Sequence, residues 1–262
     1  MVSRKHISYI LGMVIAIAAI SSLVVRGYGQ TSSISQGEEG FENEEEQVEP
    51  YIHPRLRGLD TWVRPPGPLR VALQAGHWKA VEAPEEQINL RKNTGASGGG
   101  TTEWEVNLSI AEEAKRLLEP YGILVDVLPT TIPPNYWADV FIAIHADGNT
   151  NTGVSGYKVA APRRDVSGRA EEFAEILSNA YEEHTKLVWD PNISRNMRGY
   201  YAFNWRKYDH SLHPKTVAVI LETGFLTNPH DRKVIVNHPE KSAAGIAEAV
   251  LTFFQVSMAT ST

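Results

Sequence analysis

Three continuous apolar runs constrain this chain more than any other feature: LRVALQ at 69–74, VFIAIH at 140–145 and TVAVIL at 216–221. A strand with one wet face alternates apolar and polar residues. An unbroken run of this length instead marks a strand covered on both faces, as in parallel sheets. Two shorter runs, Ile123 to Leu128 and Gly156 to Ala161, add strands, and helical patterns lie between them. Thr102, with Glu105 three residues on, has the signature of a capped helix start. That helix runs to about Pro120 with Leu108, Ala111, Ala114 and Leu118 on its apolar face. Ser167 to about Leu187 is a second helix, Asn228-Pro229 opens a short one, and Pro239 to Phe254 is the last. The expected fold is α/β: a single three-layer domain whose mostly parallel central sheet is flanked by helices.

The domain does not begin at residue 1. Arg4 and Lys5 precede an uncharged, mostly apolar run from Ile7 to Val25. As a helix it would span ~28 Å, close to a bilayer core. Residues 1–26 are therefore expected to be a signal-anchor or a signal peptide. Val24, Val25 and Arg26 close the run and no clean small-x-small cleavage site stands out, which favours an uncleaved anchor. The body of the protein then lies outside the cytoplasm, either tethered to the membrane or secreted into the envelope. Residues 27–68 change character. QGEEGFENEEEQVEP carries seven Glu and no basic residue, and Arg64-Pro65-Pro66-Gly67-Pro68 closes the segment. It is expected to be an acidic, disordered linker, leaving residues 69–262 as the functional domain. The net charge of −6 comes with no basic stripe and argues against nucleic acid. The absence of cysteine excludes disulfides and thiolate metal sites. A monomer is expected.

Each of the three long runs ends at a polar residue: His77, His145 and Glu222. In a parallel sheet the C-terminal strand ends share one edge, where open α/β folds hold ligands. Two histidines fall one ligand short of the three that a hydrolytic zinc ion takes from its protein. Glu103 and Glu105 both start the helix after the Gly-rich loop TGASGGGTT. The capping box turns Glu105 back to the Thr102 amide, leaving Glu103 for a metal. Glu222 is then the carboxylate that takes a proton from the attacking water and returns it to the leaving nitrogen.

At these residues the chain resembles a known family. AGHWKA, EWEVN, IAIHAD and ILETGFLTN look like the successive motifs of the type-3 catalytic-domain family of zinc-dependent N-acetylmuramoyl-L-alanine amidases. The resemblance covers most of residues 69–254. It implies His77, Glu103 and His145 as zinc ligands, Glu222 as the catalytic base, and peptidoglycan as substrate, cut between N-acetylmuramic acid and L-alanine. The first motif of the family usually reads D-x-G-H-G-G, whereas Gln74 and Trp78 stand here in place of the acid and the following glycine. The arginine-bearing helix usual between the second and third strands is replaced by PTTIPPNYWAD.

Two other functions are compatible with such a chain: a cell-wall-binding module of this fold without turnover, or a zinc hydrolase of another peptide amide. Trp78, beside a candidate ligand, is a candidate substrate contact. Arg195, Arg198 and Tyr200, in SRNMRGYYAFNW, can either hold a sugar or peptide carboxylate or simply pack. Asp209, His210 and His213 read as a polar loop, His184 as part of a solvated helix face, and His230 as a helix start.

Overall fold

Five strands pair in the order β4-β1-β5-β7-β6 in the computed structural model, which describes residues 52–256. In chain order the elements are β1 (Arg70–Ala75), the small hairpin β2 (Ser97–Gly98) and β3 (Thr101–Thr102), and α1 (Glu103–Leu118). Then come β4 (Leu124–Leu128), β5 (Val140–Asp147), β6 (Lys158–Ala160), α2 (Ala170–Thr185) and α3 (Arg195–Arg198). β7 (Val217–Phe225), α4 (Pro229–Ile235) and α5 (Pro239–Phe253) complete the domain. β4, β1, β5 and β7 run parallel, and β6 joins the edge antiparallel to β7. The three long apolar runs thus form the three adjacent inner strands, as their lack of alternation predicts. The described residues belong to one compact unit.

The two faces of the sheet are covered differently. Val71 and Leu73 of β1, Ile142 and Ile144 of β5, and Val219 and Leu221 of β7 pack on one face against α1, α2 and α5. The α1 contribution is Val106, Ile110, Ala111, Ala114 and Leu118, while Leu108 is only half-buried. On the opposite face Ala72, Phe141, Ala143, Ala218 and Ile220 meet Ile132, Met197, Tyr200, Phe203 and Leu212. These partners come from a Pro-, Gly- and Asn-rich chain that supports only α3 and a 3-10 turn at Tyr201–Phe203. The third layer is present, but short helices and loops build it. PTTIPPNYWAD contributes to it, burying Ile132 and Ala138 where the family usually has a helix.

One boundary needs correction. Composition extends the linker to Pro68, yet residues 52–68 lie against the domain. Arg55 donates to the carbonyls of Trp205 and Tyr208 at 2.8 and 2.7 Å and pairs with Asp209 at 2.6 Å. Arg64 forms a two-pronged bond to the Asp139 carboxylate at 2.6 and 2.8 Å. Composition alone cannot show that two arginines find acceptors on a distant loop and strand start. Because Asp139 also accepts the Arg70 amide at 2.8 Å, Arg64→Ala is expected to cost about 1 kcal/mol. A thermal melt should show this as a drop of roughly 2–4 °C. The apolar run Ile7 to Val25 lies outside the described residues. Among the described residues, no helix is long and apolar enough to cross a membrane.

Candidate active site

His145 and Glu222 are direct neighbours in the parallel register of β5 and β7. Side chains alternate along a strand, so both project to the face opposite α1, α2 and α5. The pairing continues beyond them, to Asp147 and Phe225, so these polar residues sit inside the strands rather than at their ends. His77 follows β1 by two residues, in a left-handed conformation (φ 64°) that swings the chain sharply out of the strand. Gly76 makes room beneath: a Cβ there would lie 2.4 Å from the His145 ring.

Glu103, at the first position of α1, is buried between the two histidines. Its Oε1 is 2.9 Å from His145 Nδ1 and 3.3 Å from His77 Nε2. The backbone amides of Ala96 and Ala146 donate to its two oxygens at 2.7 and 3.1 Å. Glu105, two residues on, is exposed and accepts from the Thr102 amide at 2.9 Å. The capping box therefore separates the two glutamates as the sequence predicts. Burial by itself would raise the Glu103 carboxyl, but bonds from His145 and His77 outweigh it and hold it far below the usual carboxylate range. His77 shifts the opposite way: burial opposes its charge, yet Glu103 and the Asn93 carbonyl raise its pKa.

Each imidazole also has a partner on the side away from Glu103. His77 Nδ1–H donates to the Asn93 carbonyl at 3.0 Å, which leaves Nε2 directed at the cluster. Behind His145, the Gln74 amide donates to the Thr130 carbonyl at 2.6 Å, so its Oε1 is an acceptor. Tyr200 OH is within hydrogen-bond reach of that oxygen and of the Tyr201 hydroxyl, both at 2.9 Å. The phenol oxygen lies 2.9 Å from His145 Nε2, so the ring is held between Tyr200 on one side and Glu103 on the other. Gln74, standing where the family usually has an acid, thus reaches His145 through a tyrosine. Tyr200, which the sequence leaves between packing and substrate contact, does neither alone: it backs a candidate ligand.

Among the described residues, His77, Glu103 and His145 offer three ligand atoms within 4.8 Å of one another. Two imidazole nitrogens and one carboxylate match the donor set of a hydrolytic zinc site. Gly95 leaves the space such a cluster needs, since a Cβ there would come within 2.4 Å of Glu103 Oε2. A cleft of about 320 Å3 adjoins the cluster, with His77, Asn93, Met197, Tyr200 and Glu222 among its lining residues. Burial pushes the Glu222 carboxyl well above its usual range, the charges of Asp147 and Glu103 add to this, and Lys158 opposes it.

The other candidates fall elsewhere. Trp78 is not among the residues lining the cleft; its carbonyl accepts the Thr130 amide and its ring stacks under Lys79 Nζ at 5.0 Å. Arg195 and Arg198 line an adjoining cavity. His210 binds Glu86 and His184 binds Glu248, as ordinary surface pairs.

Sheet and cluster together define a single-domain α/β hydrolytic enzyme with a candidate metal site at the C-terminal side of its parallel strands. The chain belongs to the N-acetylmuramoyl-L-alanine amidase family, whose sequence model matches residues 71–252, and it is an enzyme of that class. It is 29% identical over 208 residues to the N-acetylmuramoyl-L-alanine amidase AmiA of Escherichia coli (strain K12), covering 62% of this chain and 72% of that protein. The N-acetylmuramoyl-L-alanine amidase of Clostridium difficile 630 superposes with a TM-score of 0.53 at 21% identity, covering 73% of this chain and 99% of that one. The catalytic domain of CwlV from Bacillus (Paenibacillus) polymyxa var. colistinus gives 0.52 at 20% identity, covering 72% of this chain and 99% of that domain. At these identities the two structures speak for the fold.

Proposed function

We propose that this chain hydrolyses the amide between the lactyl group of N-acetylmuramic acid and L-alanine in peptidoglycan, using zinc held by His77, Glu103 and His145. The observation that carries this reading is the convergence of two histidines and a buried carboxylate beside the Glu222 cleft, in a chain of this family. Bound zinc supplies Lewis acidity, which polarises the amide carbonyl and acidifies water. The chain's own residues do the rest. Glu222 takes the proton of the attacking water on a carboxylate oxygen and passes it to the alanine nitrogen as that bond breaks. His77 and His145 are oriented by Asn93 and Tyr200, and the Ala96 and Ala146 amides hold Glu103 in place. Peptidoglycan as substrate places the domain outside the cytoplasm, and the run Ile7 to Val25 would tie it to the membrane as a monomer.

Full-length protein incubated with purified peptidoglycan should release peptides bearing a new N-terminal alanine, and a chelator should stop the release. New termini at any other residue would make it a hydrolase of a different amide. No release, with zinc bound, would make it a binding module. Gly76→Ala should drive the His145 ring out of place and cost most of the bound zinc, checked by elemental analysis alongside circular dichroism to show a folded chain.

A further inference from the structure

Beside the cleft lies a second cavity of about 260 Å3, and five of its eleven lining residues are arginines: Arg163, Arg164, Arg195, Arg198 and Arg206. No aspartate or glutamate lines it. Among the described residues the only ion pair these five make is between Arg198 and Glu171, both exposed, at 3.5 Å. Arg206 is held over the Trp205 ring, 5.0 Å from its centroid. All five are exposed, and among the described residues the guanidiniums of Arg163, Arg164 and Arg195 make no hydrogen bond or ion pair, in a chain of net charge −6. Guanidinium is the side chain best shaped to grip a carboxylate in two-pronged fashion.

The short segment between the two cavities divides its side chains between them. Ser194, Asn196 and Met197 line the cleft, Arg195 and Arg198 line the arginine cavity, and Gly199 and Tyr200 line both. A ligand in the cleft over the His77–Glu103–His145 cluster therefore borders, at Gly199 and Tyr200, the cavity that the arginines line. The amide to be cut consumes the lactyl carboxyl, so the N-acetylated sugar side carries no charge there, while the peptide side ends in a free carboxylate. We infer that the arginine cavity binds carboxylates of the substrate's peptide and fixes the direction in which the substrate crosses the cleft, peptide toward the arginines and sugar away. This rests on the amidase reading above.

The test compares two substrates of the full-length, zinc-loaded protein: a muramoyl-L-alanine peptide with all carboxylates free and the same molecule fully amidated. For the unaltered protein KM is expected to be about tenfold higher for the amidated substrate, the size of one good charge-assisted contact, with kcat little changed. The double variant Arg163→Gln/Arg195→Gln should raise KM for the carboxylate substrate to the amidated level and leave the amidated one untouched; Arg206→Gln should do so in part. Equal KM values for the two substrates in the unaltered protein would overturn this inference while leaving the amidase reading intact. So would variants that keep the preference. Inorganic phosphate that binds in the cavity without raising KM for either substrate would also overturn it, since the cavity would then serve a different anion. Failure to cut either substrate would bring down both readings.

Discussion

Replacing Glu222 by glutamine is expected to lower turnover by ~100- to 10,000-fold, the range general acid–base catalysis contributes, with zinc content unchanged. Glu222 lines the cleft and is the register partner of His145, so it faces the reacting bond from the neighbouring strand. Its carboxylate is not committed elsewhere: burial and like charges dominate its environment, and no hydrogen bond or ion pair engages it among the described residues. Glutamine keeps the shape but has no basic oxygen to take a proton, so binding and fold should survive while the proton transfer fails. It also removes a half-buried carboxylate that repels Asp147 and Glu103, so the variant should melt no lower than the parent. Steady-state kinetics with elemental analysis on one preparation checks all three statements. Full turnover in Glu222→Gln would mean that another group moves the proton.

Glu103→Gln should fail differently. Glu103 sits between His77 and His145 and accepts two backbone amides, Ala96 on one oxygen and Ala146 on the other. An amide side chain in the same place removes the anionic ligand and turns an NH2 group toward one of those N–H donors, leaving two donors face to face. Loss of groups that merely support a ligand costs ~10- to 100-fold in metal affinity. Loss of the ligand should therefore cost about 100-fold or more, and activity should return in part as zinc is added. Activity titrated against zinc for both variants separates ligand from base. Rescue of Glu222→Gln with no rescue of Glu103→Gln would mean that the two roles are reversed.

Much of this site was legible because its signals are local. The unbroken runs ending near His77, His145 and Glu222 announce buried parallel strands, and a parallel sheet gathers their C-terminal ends. The choice of Glu103 over Glu105 follows from one turn of helix, since the capping box operates over three residues. Tyr200 and Gln74 were not legible in the same way. They lie 126 residues apart, and the chain that carries Tyr200 has no periodicity to orient it.

The sequence by itself determined the type of the main strands and long helices along the chain, the burial of the three long runs on both faces, and the residue types at the cluster. Each of these depends on periodicity, caps and turn chemistry within a few residues. Tertiary structure alone decided that Tyr200 backs His145, how the second face of the sheet is covered, and that Arg55 and Arg64 bind residues 52–68 to the domain. It also decided that arginines from separate segments, 163–164 and 195–206, surround one cavity. Such contacts form between groups far apart in the chain, and only the packed topology sets which hydrogen-bond donor meets which acceptor.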